Sequence, residues 1–268
     1  MSLTVNGQTT TKAKPSSTSK SPIIIRQARL WEGYQIGKIA SITYYDTPLV
    51  NFLSPYRAKY PADYVRTYSE RSQARLFNPR SLSFVACEAS NPSHVIGYAQ
   101  FLRLGDDGGA KRHLASRKSL WLWALSWLFW AYCKVLGLTI GDKSADPKAV
   151  AEFLSLVASD DDKYWKGVPE RKNRWHAASV VVGKEFQGRG VGKRLMAEVI
   201  RRAESEGVCV GLEASGPGEH LYRSVGFQLL GRFSERSQVI DQGSAGIVGG
   251  VMMWSPSSWA PEQSHQKE

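Results

Sequence analysis

The sequence predicts an α/β fold built on a mixed sheet, and three stretches carry that prediction. Residues 177–182 are small and β-branched, and a glycine-rich turn and a helical pattern follow them. Such a run suits a strand covered on both faces. Residues 83–89 and 94–104 are strand patterns on either side of Ser90-Asn91-Pro92-Ser93, which reads as a β-hairpin. Residues 208–215 form a third strand pattern, running into Gly216-Pro217-Gly218 and a short helix at 219–225. Hairpins pair antiparallel, whereas a strand–helix–strand unit pairs parallel, so a sheet holding both is mixed.

The chain has 268 residues, of which 42% are hydrophobic and 11% aromatic, enough for one large domain or two small ones. The net charge of +11 suits a polyanionic ligand, an anionic lipid surface or nucleic acid. The charge is scattered rather than blocked, so no nucleic-acid partner is expected. Cys87, Cys133 and Cys209 are far apart and odd in number, which fits neither a disulfide framework nor a metal cluster. No metal is expected, and reduced thiols point to a cytoplasmic protein. The N-terminus lacks an apolar signal core.

In chain order, residues 1–22 are Ser/Thr/Lys/Pro-rich without an acidic residue and are expected to be a disordered tail. An organelle presequence would need arginines, and the first is Arg26. Residues 23–30 read as a strand, and 32–45, 47–56 and 62–76 as helices. The last of these puts Tyr64, Tyr68 and Leu76 on one face and is broken by Asn78-Pro79. The hairpin follows. After the central strand, Val191, Leu195, Val199 and Ile200 recur at helical spacing. Gly226 ends the helix at 219–225, and strands are expected at 227–233 and 246–254, with Pro256 as a stop. A single domain at 23–260 and a polar tail at 261–268 result.

The junction after the central strand is chemically the most informative. Gln187, Gly188, Arg189, Gly190, Val191, Gly192 and Lys193 offer a run of backbone N–H groups at a helix start, where donors lack internal partners and the dipole is positive. A pyrophosphate is the natural ligand. Gly183 and Gly188 have P-loop spacing, but Arg189-Gly190 replaces the Lys-Ser/Thr that would hold magnesium. Gly188, Gly190 and Gly192 give G-x-G-x-G rather than the dinucleotide G-x-G-x-x-G. Gln187, Gly190 and Gly192 do satisfy Gln/Arg-x-x-Gly-x-Gly/Ala. On its own this is also a glycine-rich turn of an ordinary α/β unit.

That pattern resembles the acyl-CoA pyrophosphate loop of the GCN5-related N-acetyltransferases, the GNAT family. Leu212-Glu213-Ala214-Ser215, Gly218 and Leu221-Tyr222-x-x-x-Gly226-Phe227 resemble the second half of that family's CoA site, in the same order and one helix downstream. Gly97 to Phe101 looks like its hairpin. The resemblance covers roughly 23–105 and 174–255. It implies the acyl-CoA N-acyltransferase fold, acetyl-CoA as acyl donor without a metal, and a small-molecule or peptide amine as acceptor. It implies that pantetheine runs along Val180, Val181 and Val182, with Ser215 beside it, and that Tyr222 protonates the leaving thiolate. Packing alone also explains Tyr222. Glu213 and His176 are candidates for base or relay, with a turn cap and a sheet hydrogen bond as their structural alternatives. A non-catalytic acyl-CoA-binding module, associated with a membrane surface, is the competing function.

Residues 106–173 depart from the family pattern as a helical insertion before the central strand, of a kind familiar in fungal GNAT-like proteins. Gly105 to Gly109 reads as a flexible exit, and Lys111, Arg112, His113, Arg117 and Lys118 as a basic cluster. The stretch 120–133 is almost wholly apolar and raises a membrane span. A single crossing would separate the hairpin from the strand it pairs with. Leu122, Leu125, Leu128, Phe129 and Tyr132 are expected to face the core, and Trp123, Trp127, Trp130 and Lys134 an interface. Packing, an acceptor-site lid, and peripheral membrane or homodimer contact through 119–138 are the alternatives. A helix at 149–158 and a solvated acidic run, Asp160-Asp161-Asp162, follow.

Overall fold

The computed structural model describes residues 21–233 and 249–259. Residues 1–20 of the tail expected at 1–22 and the tail expected at 261–268 lie outside the described residues, as do residues 246–248 of the strand expected at 246–254. The chain runs β1 (Ile23–Gln27), α1 (Gly33–Tyr44), α2 (Pro48–Leu53), α3 (Pro61–Phe77), β2 (Ser81–Glu88) and β3 (Asn91–Leu104). The insertion contributes α4 (Gly108–Ser116), α5 (Leu120–Thr139) and α6 (Pro147–Asp161). Then come β4 (Arg174–Val182), α7 (Val191–Glu206), β5 (Cys209–Ala214), α8 (Gly216–Arg223), β6 (Gln228–Arg232) and β7 (Gly250–Trp254).

These strands form one sheet in the order β1-β2-β3-β4-β5-β7-β6. Only β4 and β5 pair parallel, and every other neighbour pair is antiparallel. The mixed α/β architecture expected from the sequence is the one observed. Helices cover both faces, which is why β2 is buried from Ser81 to Cys87. Phe84 and Ala86 pack with Leu195, Met196 and Val199 of α7. Val85 and Cys87, on the opposite face, pack with Ile36, Ala40 and Leu76 of α1 and α3. Each such large side chain stabilises the fold by about 1.5–3 kcal/mol through burial.

The insertion differs from expectation in three places. Residues 105–109 are not a loose exit, because Asp107 caps α4 by accepting from the Ala110 N–H at 2.9 Å. Leu125, Leu128 and Tyr132 are not core, since α5 has no buried residue. Its half-buried stripe is Leu122, Ser126, Phe129, Cys133 and Leu136, and Phe129 meets Phe77 of α3 edge-on at 5.4 Å. The acidic run is not simply solvated, because Asp161 accepts from Arg174 of β4 at 3.1 Å. Beyond it a turn of π-helix at 162–166 seats Tyr164 and Trp165 against Val251.

Candidate active site

The parallel pairing of β4 with β5 stops early. Arg174, Trp175 and His176 pair with Cys209, Val210 and Gly211, and no later pair forms among the described residues. On its other edge β4 stays paired with β3 as far as Gly97–Val182. Gln100 pairs with Ser179 but Phe101 with Ala177, leaving Ala178 as an extra residue. Such a bulge bends a strand, so β4 leaves β5 from Ala177 onward. A cavity of about 1480 Å³ opens there, lined by residues 177–182 including Val180, Val181 and Val182.

The glycine loop forms one end of this cavity. Gln187 folds back and donates from Nε2 to the Val182 carbonyl at 3.0 Å. Gly188 and Gly190 have φ of 72° and 74°, the left-handed region where a side chain is strained. A Cβ at either would meet nothing within 4 Å, so the space before these residues is open. Gly190 caps α7 without a side-chain bond. The N–H groups of Val191, Gly192 and Lys193 have no acceptor within the helix. At Gly192 a Cβ would come to 2.9 Å from Leu221, so glycine lets α7 approach α8. All residues from Gln187 to Lys193 line the cavity except Arg189. The Arg189 guanidinium donates to the Ser21 carbonyl at 3.3 Å and lies 3.9 Å from Glu88, which leaves its backbone N–H for the loop. Open donors without obstructing side chains fit the diphosphate of acetyl-CoA.

Tyr222 and Glu213 face the same cavity, as does Ser215. The Tyr222 ring rests on Phe227 at 5.7 Å. Burial pushes its phenol well above the ordinary value, and Tyr44 and Glu213 nearby add to the effect. The Glu213 carboxylate sits 3.2 Å from His176 Nε2 and accepts from Trp165 Nε1 at 3.4 Å. Burial works to raise its pKa, but the His176 imidazole and the indole N–H outweigh it and hold the carboxyl below its usual range. His176 is not among the lining residues. It lies behind Glu213, and its Nδ1 is buried without a hydrogen-bond partner.

Residues 146–229 match the family model described as Acetyltransferase (GNAT) domain. Over that span the chain is similar to the GNAT family. Its fold is similar to that of a crystal structure titled histone acetyltransferase HPA2 and related acetyltransferase, from Corynebacterium glutamicum. That likeness has TM-score 0.54 and 15% identity over 88% of this chain and 97% of the other. It is also similar to arylalkylamine N-acetyltransferase 2 from Aedes aegypti, with TM-score 0.51 and 13% identity over 87% of this chain and 98% of that one. No curated protein matches the sequence.

Sequence reasoning missed several residues in and behind the cavity. Trp165 of the insertion is fully buried and orients Glu213. Its only sequence signal is Gly211, where a Cβ would come to 2.4 Å from the Trp165 ring. Tyr68, Arg71, Ser72 and Arg75 of α3 line a second wall, with Tyr44 and Tyr98. Tyr98 shares a hydrogen bond of 2.8 Å with Ser179 on β4. The insertion reaches the cavity through Phe153, Leu156, Val157 and Asp160, all on α6 or at its end, and not through α5. Burial raises the Asp160 carboxyl, although Lys163 opposes it and Glu213 adds to it.

Proposed function

We propose that the chain transfers an acetyl group from acetyl-CoA to a primary amine by direct attack in a ternary complex. The observation that carries this reading is the single cavity joining the N–H cluster before α7, the free edge of β4, and the Tyr222 and Glu213 side chains. Pantetheine would run along Val180, Val181 and Val182. A β4 N–H facing the thioester carbonyl would stabilise the developing oxyanion, and one such donor contributes about 2.7–4 kcal/mol in other enzymes. The acceptor arrives as an ammonium ion. Glu213, held ionised, is its counter-ion, and a carboxyl with a lowered pKa passes a proton on rather than keeping it. Glu213, steadied by His176 Nε2 behind it, passes the proton to water. The nitrogen then bonds to the carbonyl carbon and gives its second proton to Glu213 and water, the C–S bond breaks, and the thiolate takes a proton from Tyr222, which burial keeps protonated and which solvent reprotonates after the transfer.

The charges in the cavity favour an acceptor that carries an anionic group as well as the amine. Arg75 lines the cavity and burial lowers its pKa. Its Nη1 donates to Gln100 Oε1 at 3.3 Å, and no carboxylate among the described residues comes within ion-pair distance. A half-buried guanidinium without a counter-ion carries a desolvation cost, and an acceptor carboxylate would offset it. Glu213 and Asp160 supply the complementary charge for the amine. Amino acids and short peptides fit this pattern better than polyamines.

Release of CoA thiol from acetyl-CoA, followed with amino acids and with the matching decarboxylated amines, tests both points. Turnover should favour the carboxylated member of each pair, and Arg75→Gln should raise KM for that member alone. Equal rates within pairs would refute the acceptor class but leave acetyl transfer standing. Acetyl-CoA binding without acceptor-dependent thiol from any amine would instead make the chain a binding module.

A further inference from the structure

The strongest feature the catalytic reading leaves unused is α5. It is 20 residues long, apolar enough to cross a membrane by length and composition, and has no fully buried residue. Trp121, Trp123, Trp127 and Trp130 are exposed at 81%, 70%, 57% and 57%. Leu128 and Leu138 are exposed at 57% and 88%. An apolar surface of this length does not stay in water without a partner.

The topology rules out a crossing by this helix. Leu104 at the end of β3 pairs with Arg174 at the start of β4, so the chain re-enters the sheet where it left it. Both ends of α5 are also pinned to the body. On the N-terminal side, His113 of α4 stacks edge-on against the buried Trp175 at 5.1 Å. On the C-terminal side, Arg66 of α3 donates to the Gly141 carbonyl at 2.5 Å, and Thr67 donates to Asp142 at 2.7 Å. The half-buried stripe of Phe129 and its neighbours faces α3, leaving the tryptophan side outward.

Charge selects the occupant. Between Asp107 and Asp142 the sequence has no acidic residue but contains Lys111, Arg112, Arg117, Lys118 and Lys134. All but the half-buried Arg117 are exposed. A second copy of the chain would set these cations against each other. A bilayer with anionic headgroups would pair with them while its acyl boundary took up the indoles, which favour that interface.

We propose that α5 is a surface anchor, lying in the plane of an anionic phospholipid membrane with its tryptophan side immersed and its basic flanks at the headgroups. The helix does not span, and α3 connects it to the cavity wall that carries Tyr68, Arg71 and Arg75. The proposal does not depend on the acyl-transfer reading.

Co-sedimentation of the full chain with phosphatidylcholine vesicles, with and without phosphatidylserine, tests it. Uptake should need phosphatidylserine and weaken as salt is added. Replacing Trp123, Trp127 and Trp130 by Ser should abolish uptake while leaving the melting temperature and acetyl-CoA affinity unchanged, because these side chains touch neither core nor cavity. Replacing Lys111, Arg112, Lys118 and Lys134 by Gln should weaken it by about a hundredfold or more. Failure of the wild-type chain to bind phosphatidylserine vesicles would overturn the proposal. So would a wild-type dimer that the Trp→Ser variant converts to monomer without any vesicle uptake, since α5 would then be covered by a second copy.

Discussion

At the scale of single residues, the site depends on groups whose protonation the surroundings set. Tyr222 is held neutral by burial, so its hydroxyl is a donor throughout the neutral range. Tyr222→Phe removes that donor and keeps the ring on Phe227. The expected result is a kcat lower by about a hundredfold with KM for acetyl-CoA unchanged, measured by thiol release. An unaltered kcat would leave the ring with a packing role only. Tyr222 and Glu213 both line the cavity; the Leu-Tyr-x-x-x-Gly-Phe resemblance singled out Tyr222, and the end of a strand pattern singled out Glu213. Trp165 and Arg75 were not legible in the sequence. Arg75 lines the cavity beside Gln100, whereas Trp165 lies against Gly211 and acts on the cavity only through Glu213, and nothing in local spacing records such neighbours.

At the scale of elements, the loop before α7 could be read in advance because its chemistry belongs to the backbone. Glycine at φ of 74° and unpaired N–H groups at a helix start need no distant partner. Gly190→Glu forces a side chain into that backbone region and places a carboxylate where a diphosphate would sit. Calorimetry should show loss of acetyl-CoA binding. The circular dichroism spectrum should stay native, because a Cβ there meets no atom within 4 Å. Undiminished affinity would remove the loop from the donor site. The insertion was harder to read for the opposite reason. The Asp106-Asp107-Gly108-Gly109 stretch looks loose until Asp107 finds Arg103. The apolar pattern of α5 gave its length and its outward tryptophans but placed Leu125, Leu128 and Tyr132 wrongly in the core, since a helix apolar nearly all round carries little phase information.

At the scale of the molecule, one buried cation ties the insertion to the sheet and to α7. Arg103 of β3 is wholly buried. Its Nε donates to Glu206 of α7 at 2.7 Å, its Nη2 to Asp107 at 2.7 Å, and its Nη1 to the Leu104 carbonyl at 2.6 Å. Arg103→Met would strand two partly exposed carboxylates facing each other across an apolar plug. Breaking a buried pair costs about 3–5 kcal/mol, and the exposure of both carboxylates puts this case at the lower end. A drop in melting temperature of roughly 10 °C follows for a domain of this size. The pH dependence has a definite sign. Burial works to raise the Asp107 carboxyl, but the Ala110 N–H and Arg103 outweigh it and hold it below its ordinary value. A carboxyl depressed in the folded state contributes stability above its unfolded pKa and loses it as pH falls through the folded one. The gap in melting temperature between wild type and Arg103→Met should therefore be full at neutral pH and shrink under acid conditions. A gap that stays constant down to the acid transition would mean that packing, not the ion network, joins the insertion to the sheet.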